Sequence, residues 1–356
     1  MRRCCSVVAL VALLAGCHGF GRDLSPIRLA PIVTLGAMSG EGAIATTPIV
    51  SAHHHGGFWI VIPASSAIGA LPLAFGDDGA FLGSLHGDST LVGSFSGPMF
   101  ARIGPGDSIW VFDASRRVLI FGPHRTYARS IRLPMAPNDA QIMADNRVIT
   151  AQDSGALISL FDANGVLVRE FGAIQPGTES MYPWHTILPV DDGTFWTFTS
   201  HLPRKLEHWD TAGRLLREID QNDARFPLQY EPARLPQARD QVPATQQPPA
   251  WIDNKGRLWS LGVVADQHWQ LGLAPADSVD SGAFRSPIPI VDFDRYYDTT
   301  LDVRDLATGA LIASSRFDLV YDMVEPGVLV HRTRTAAGWH HAELMRVVFT
   351  EPASRP

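Results

Sequence analysis

The chain has 356 residues, of which 46% are hydrophobic and 18% charged, with 31 Gly, 26 Pro and a formal net charge of -7. That describes a folded protein rich in turns and long enough to bury a sizeable core. The acidic balance, with no long run of Lys and Arg, supplies no field to attract phosphate backbones and argues against nucleic acid as a partner.

The opening "MRRCCSVVALVALLAGC" has Arg2 and Arg3, an apolar stretch from Val7 to Leu14, and small residues at its end. This is the layout of a secretory signal, and the apolar run is shorter than the about 20 residues that a spanning helix needs. Leu14-Ala15-Gly16-Cys17 resembles the lipobox of bacterial lipoproteins. The resemblance implies a signal peptide over 1–16, cleavage before Cys17, acylation of that cysteine and a tether over 17–24. A coincidental cysteine beside an ordinary cleavage site is the bland alternative. Several acyl chains hold a protein firmly on a bilayer, since each buried methylene contributes about 0.8 kcal/mol. His18 is not the aspartate that resembles an inner-membrane retention signal, so the expected address is the outer membrane, facing the periplasm. The three cysteines are Cys4, Cys5 and Cys17, so the mature fold has no internal disulfide.

From Ser25 onward, apolar runs of four to eight residues alternate with clusters of Gly, Asp, Asn and Pro, which predicts an all-β fold. Two phrases recur. One is a turn followed by Trp within an apolar run, at Trp59, Trp110, Trp196 and Trp259; these are read as equivalent core positions. The other is Asp, a turn closed by Gly, and a strand, in "LFDANGVLVREFG" at 160 to 172 and "HWDTAGRLLREID" at 208 to 220. Weaker copies lie at 74 to 85, 111 to 122 and 303 to 314, the second with Arg116 where Gly is expected. Asp hydrogen-bonds the local backbone and Gly accepts positive φ, so each copy reads as a hairpin.

In order, the two phrases define a four-stranded unit. Blades are expected over about 45–86, 97–134, 138–172 and 182–220, then from Pro248 and from Phe317 to Phe349. Blade three has Val148 and Ile149 without Trp, and blade six lacks its last strand. The run at 25 to 36 is expected to supply that strand and close the ring. The pattern over 25–350 resembles a six-bladed β-propeller of the NHL-related kind, as found among lipid-anchored bacterial envelope proteins; residues 351–356 form a tail. A seventh blade hidden in an insertion is the competing count. The segments 221–250 and 262–297 exceed usual loops and read as surface excursions, the first alternatively as a lid, with Tyr296 and Tyr297 offering a contact surface.

Chemistry is sparse. His53-His54-His55 ends an inner strand, but neighbours on an extended segment point to alternating sides, so a metal would need ligands from other blades. The candidate set is His53, His55, His185 and Asp192, without the spacing of a zinc site. His331, His340 and His341 read as exposed turn residues, and Asp191, Asp192 and Asp253 as turn formers. No Gly-x-Ser-x-Gly elbow is present. A propeller lactonase, which resembles this fold, needs carboxylates and an Asn around a channel metal; Asn138, Asp139, Asp191 and Glu325 could be recruited, but nothing in their spacing singles them out. The expected function is therefore a non-catalytic, lipid-anchored scaffold binding an envelope protein or small ligand, with no cofactor. The alternative is a metal-dependent hydrolase or lyase working at the central channel, which would bring a divalent cation.

Overall fold

The computed structural model describes residues 26–63, 71–86, 95–152, 156–173, 185–189, 193–199, 205–220, 242–243, 250–269 and 290–351. These form six antiparallel four-stranded sheets. Blade one holds β2 (Pro48–His54), β3 (Phe58–Pro63), β4 (Leu73–Gly76) and β5 (Phe81–Ser84). Blade two holds β6 (Pro98–Gly104), β7 (Ser108–Asp113), β8 (Arg117–Phe121) and β9 (Tyr127–Arg132). Blade three is β10 (Asp139–Ile142), β11 (Val148–Ala151), β12 (Ala156–Phe161) and β13 (Leu167–Ala173). Blade four is β14 (His185–Pro189), β15 (Thr194–Thr199), β16 (Lys205–Asp210) and β17 (Leu215–Asp220). Blade five is β18 (Ala250–Ile252), β19 (Arg257–Ala265), β20 (Tyr297–Asp305) and β21 (Leu311–Phe317).

Blade six takes three strands from the end of the chain, β22 (Tyr321–Glu325), β23 (Val328–Arg334) and β24 (His340–Phe349). Its outer strand is β1 (Ile27–Leu35), paired from Ile27 opposite Phe349 to Leu35 opposite Ala342. The ring is thus a six-bladed propeller closed by its N-terminal strand, as the sequence predicts. Closure satisfies the edge of β24 and packs Leu35 wholly out of solvent.

Side-chain alternation builds the core. Along β3, Phe58, Ile60 and Ile62 pack against blade two. Trp59 and Val61, between them, pack against blade six. Each further junction has one such apolar cluster. Because a blade is buried on both faces, its strands read as continuous apolar runs rather than alternating ones.

The same alternation corrects one expectation. Trp110, Trp196 and Trp259 lie three residues beyond the last turn residue (Asp107, Gly193, Gly256) and face the following blade. Trp59 lies only two beyond Gly57 and faces the preceding one. All four are buried, but Trp59 is not their equivalent, since one residue of offset reverses the side chain.

A second correction concerns blade two. Its phrase at 111 to 122 joins the second and third strands, β7 and β8, not the third and outer strands. The hairpin equivalent to the others is 122–126, and Arg125, at φ 64, holds the position of the turn glycine. Arg116 also has positive φ, in the other turn. Turns of this class seat on the outer strand of the preceding blade. A Cβ on Gly79 would lie 2.8 Å or less from the backbone, 2.7 Å from Thr34 O, and one on Gly165 would lie 2.8 Å from Arg132 O. Arg125 reaches the same place with its side chain, donating to Leu82 O.

Among the described residues the inner-to-second and third-to-outer turns lie on one face of the ring, and these are short. The second and outer strands end at the opposite face, and the strand ends that the two long segments, 221–249 and 266–296, leave from are among these. The long-connection face begins each inner strand; the short-turn face ends it.

Candidate functional site

The channel wall is built from inner strands whose polar groups tie blade to blade. Ser51 Oγ of blade one accepts from Ala101 N–H of blade two at 2.5 Å. Asp139, buried at the start of β10, joins three blades. Its Oδ1 takes Arg102 Nη2 of blade two at 2.5 Å, and its Oδ2 takes the Ile187 N–H of blade four at 2.8 Å. Arg102 Nε also donates to Ala140 O at 2.9 Å, and Gln141 Nε2 to Ile187 O at 3.3 Å. Arg332 of blade six pairs with Asp322 and donates to Pro48 O of blade one. A buried carboxylate is tolerated where each oxygen is hydrogen-bonded, and this network meets that condition.

At the short-turn end, the three adjacent histidines separate. His54 is buried and stacks on Phe58 at 4.3 Å; its Nδ1 accepts from Gly56 N–H, so its Nε2 donates to Asp107 O at 2.7 Å. His53 turns the other way, lies 4.2 Å from the Trp59 ring and donates to Asp77 Oδ1 at 2.8 Å. His55 is exposed and meets Asp107 Oδ1 at 2.7 Å. Glu325, ending β22 of blade six, lies within electrostatic reach of both His53 and His55. Burial pushes its carboxyl above the usual range, against the pull of the two histidines and Arg346.

The metal candidates are accordingly dispersed. His53 and His55 end an inner strand on the short-turn face, each with its own carboxylate. His185 begins β14 on the long-connection face. Asp192 lies outside the described residues, as does Asp191. Among the described residues no three His, Cys, Asp or Glu side chains converge as a metal-binding group. Asn138 is occupied through its backbone N–H with Ala151 O.

Other histidines depart from expectation. His331 is buried, with Nε2 2.8 Å from Asp294 Oδ2 and Nδ1 3.4 Å from Glu343 Oε2. His340 is buried too, with no partner at Nδ1 among the described residues, and burial with the charges of Arg334 and His341 lowers its pKa. His341 is half-buried. Tyr296 and Tyr297 are core residues rather than a contact surface, packed with Val263 and against Phe293. Burial pushes the Tyr297 phenol up to about 12. Beside it, Arg316 Nε donates to buried Asp298 Oδ2 at 2.5 Å. Burial holds the Asp298 carboxyl above its ordinary value despite Arg316, and Asp266 adds to the rise. Asp253 is a turn former as expected, accepting from the Lys255 and Arg257 N–H groups and from Trp259 Nε1. No spacing rule in the sequence announces the partners Asp77, Asp107 or Asp294, which come from other hairpins or blades.

Residues 1–25, with the signal segment and Cys17, lie outside the described residues. No described helix is long and apolar enough to cross a membrane.

Known proteins share this architecture. The chain superposes on a protein of Bacteroides fragilis described as exported, with a TM-score of 0.59 at 8% identity over 92% of this chain and 98% of that one. Virginiamycin B lyase from Staphylococcus aureus gives a TM-score of 0.51 at 11% identity, over 90% and 99% of the two chains. The fold is a six-bladed β-propeller. At such identities the likeness carries the fold alone and does not single out the NHL kind. No family model and no curated protein matches the sequence.

Proposed function

We propose that this propeller is an exported, lipid-anchored scaffold of a bacterial envelope, held through Cys17 and binding a protein or small ligand on its long-connection face. The observation that carries the reading is the division of labour between the two faces. The tether enters at Ile27, where β1 starts on the short-turn face, and both long segments leave from the other. Among the described residues, Ser51, Arg102 and Asp139 of the channel wall are taken up in ties between blades, which suits a rigid support better than a reaction centre.

Two measurements test this. Cys17→Ser should move the protein from the membrane to the soluble envelope fraction; unchanged membrane association defeats the anchor. A photo-crosslinking residue at Met38, exposed in the connection from β1 to β2 on the long-connection face, should capture a partner in intact cells. The same residue at Leu82, near the short turn of blade one, should not; the reverse pattern defeats the choice of face. The second reading, a metal-dependent hydrolase or lyase, draws on the fold shared with virginiamycin B lyase. It would be favoured by bound calcium or zinc whose removal by chelator abolishes hydrolysis of a lactone probe.

A further inference from the structure

The outer strands carry an apolar rim. Of the eleven large apolar side chains exposed among the described residues, eight lie at the start of an outer strand, beside the third-to-outer turn. They concentrate on three consecutive blades: Val166 (62% exposed) and Val168 of blade three, Leu216 of blade four and Leu311 (51%) of blade five. Blade one adds a single such side chain, Leu82 (41%), in β5. In blade two the first residues of β9 are Tyr127, Ala128 and Arg129, and β1 of blade six starts with buried Ile27.

Arginines fasten this rim into one surface. Arg169 Nη1 of blade three donates to Ala212 O in the turn of blade four at 2.9 Å. Arg217 Nη2 of blade four donates to Ala307 O in the turn of blade five at 3.0 Å. Exposed apolar side chains grouped on three neighbouring outer strands that are tied to one another suit an apolar occupant.

The chain before β1 says which. Eight residues, 18–25, lie between Cys17 and Pro26, and even fully extended the nine steps from Cys17 to Pro26 reach no more than about 32 Å. They arrive at blade six, next to blade five, on the same short-turn face as the rim. A bilayer gripping Cys17 is therefore never far from these valines and leucines, and it accepts apolar side chains at its headgroup boundary. We propose that the short-turn rim of blades three to five rests in the lipid surface, so that the ring leans on that edge with its long-connection face turned away. This inference rests on the anchor reading for its geometry.

The test supplies the tether artificially, so that it does not depend on acylation in the cell. The mature chain from residue 17 with Cys17→Ser and an N-terminal hexahistidine is attached to phosphatidylethanolamine–phosphatidylglycerol vesicles containing nickel-chelating lipid. An environment-sensitive nitrobenzoxadiazole label is placed at Leu216→Cys, and in separate proteins at Arg129→Cys or Met38→Cys. The label at 216 should shift to the blue on vesicles and be quenched by brominated lipid, while those at 129 and 38 keep their solution spectra. Val168→Asp with Leu311→Asp should reduce the quenching at 216 about tenfold. An unshifted label at 216, or a shift at 38 instead, overturns the proposal. A concentration-dependent shift at 216 in solution, before vesicles are added, assigns the rim to a second copy and also overturns it. Failure of acylation in cells would sink only the anchor reading.

Discussion

His331 Nε2 of blade six lies 2.8 Å from Asp294 Oδ2, which belongs to the final turn of the segment between β19 and β20 of blade five. The same carboxylate takes the Val320 N–H at 2.7 Å through Oδ1. The end of the long connection is thus pinned to the neighbouring blade by a charged contact, with Glu343 on the far side of the imidazole and Tyr321 packed beside it.

Burial lowers the pKa of His331, but Asp294 and Glu343 outweigh burial and leave it raised above the ordinary histidine value. A raised histidine contributes stability that is fully present below its unfolded pKa of about 6.5 and is lost as pH rises through the folded value. His331→Gln should therefore lower Tm at pH 5.5 by more than it does at pH 8.5. Thermal melts across that range check it; equal losses at both ends would remove charge from the explanation.

Asp139 holds three blades together, so Asp139→Ala should destabilise by about 2–3 kcal/mol, because it leaves Arg102 Nη2 and the Ile187 N–H without their acceptor. Asp139→Asn, which keeps the shape and one acceptor oxygen, should cost less. Urea unfolding of the two variants gives the comparison.

Turn glycines should divide by what their missing Cβ would meet. Gly79 and Gly193 both have positive φ, but a Cβ at Gly79 would strike Thr34 O at 2.7 Å, while none of the described residues comes within 4 Å at Gly193. Gly193→Ala should cost about 1 kcal/mol for backbone strain, and Gly79→Ala appreciably more because β1 must shift as well. Similar losses in denaturant melts would contradict the seating of that turn on blade six.

Arg125 sits at φ 64 and contributes both strain and contacts, the latter to Leu82 O and over the Phe58 ring. Arg125→Ala keeps the strain and loses the contacts, so it should be less stable than Arg125→Gly by about 1 kcal/mol.

Ring closure makes β1 structural. Leu35→Ala should cost about 2–5 kcal/mol, the range for a buried leucine, and removal of residues 26–36 should expose the edge of β24 and promote association. A monodisperse, equally stable truncated protein in sedimentation and urea unfolding would show that the latch is dispensable.

The blade pattern was legible because its causes are local. Asp and Gly at hairpins and apolar runs between them are dictated by φ preferences and by strands buried on both sides, and their order along the chain gave six units and the closing strand. Misreadings came where a single residue decides: Trp59 faces blade six because the preceding turn is one residue closer, and Arg125 replaces a glycine that only its partner strand identifies. The candidate site was less legible. The sequence places His53, His54 and His55 together, yet alternation along an extended strand sends them to three environments, and their carboxylate partners come from other hairpins and blades. Burial of His331, Tyr296 and Tyr297 likewise follows from the packing of a long connection against the next blade. By itself, then, the sequence determined the repeat, the closure and the export-like opening, which rest on short-range chemistry. Which polar groups meet, and which apolar side chains stay uncovered, was decided only when six sheets packed around one axis, because those pairings join residues that share no neighbourhood along the chain.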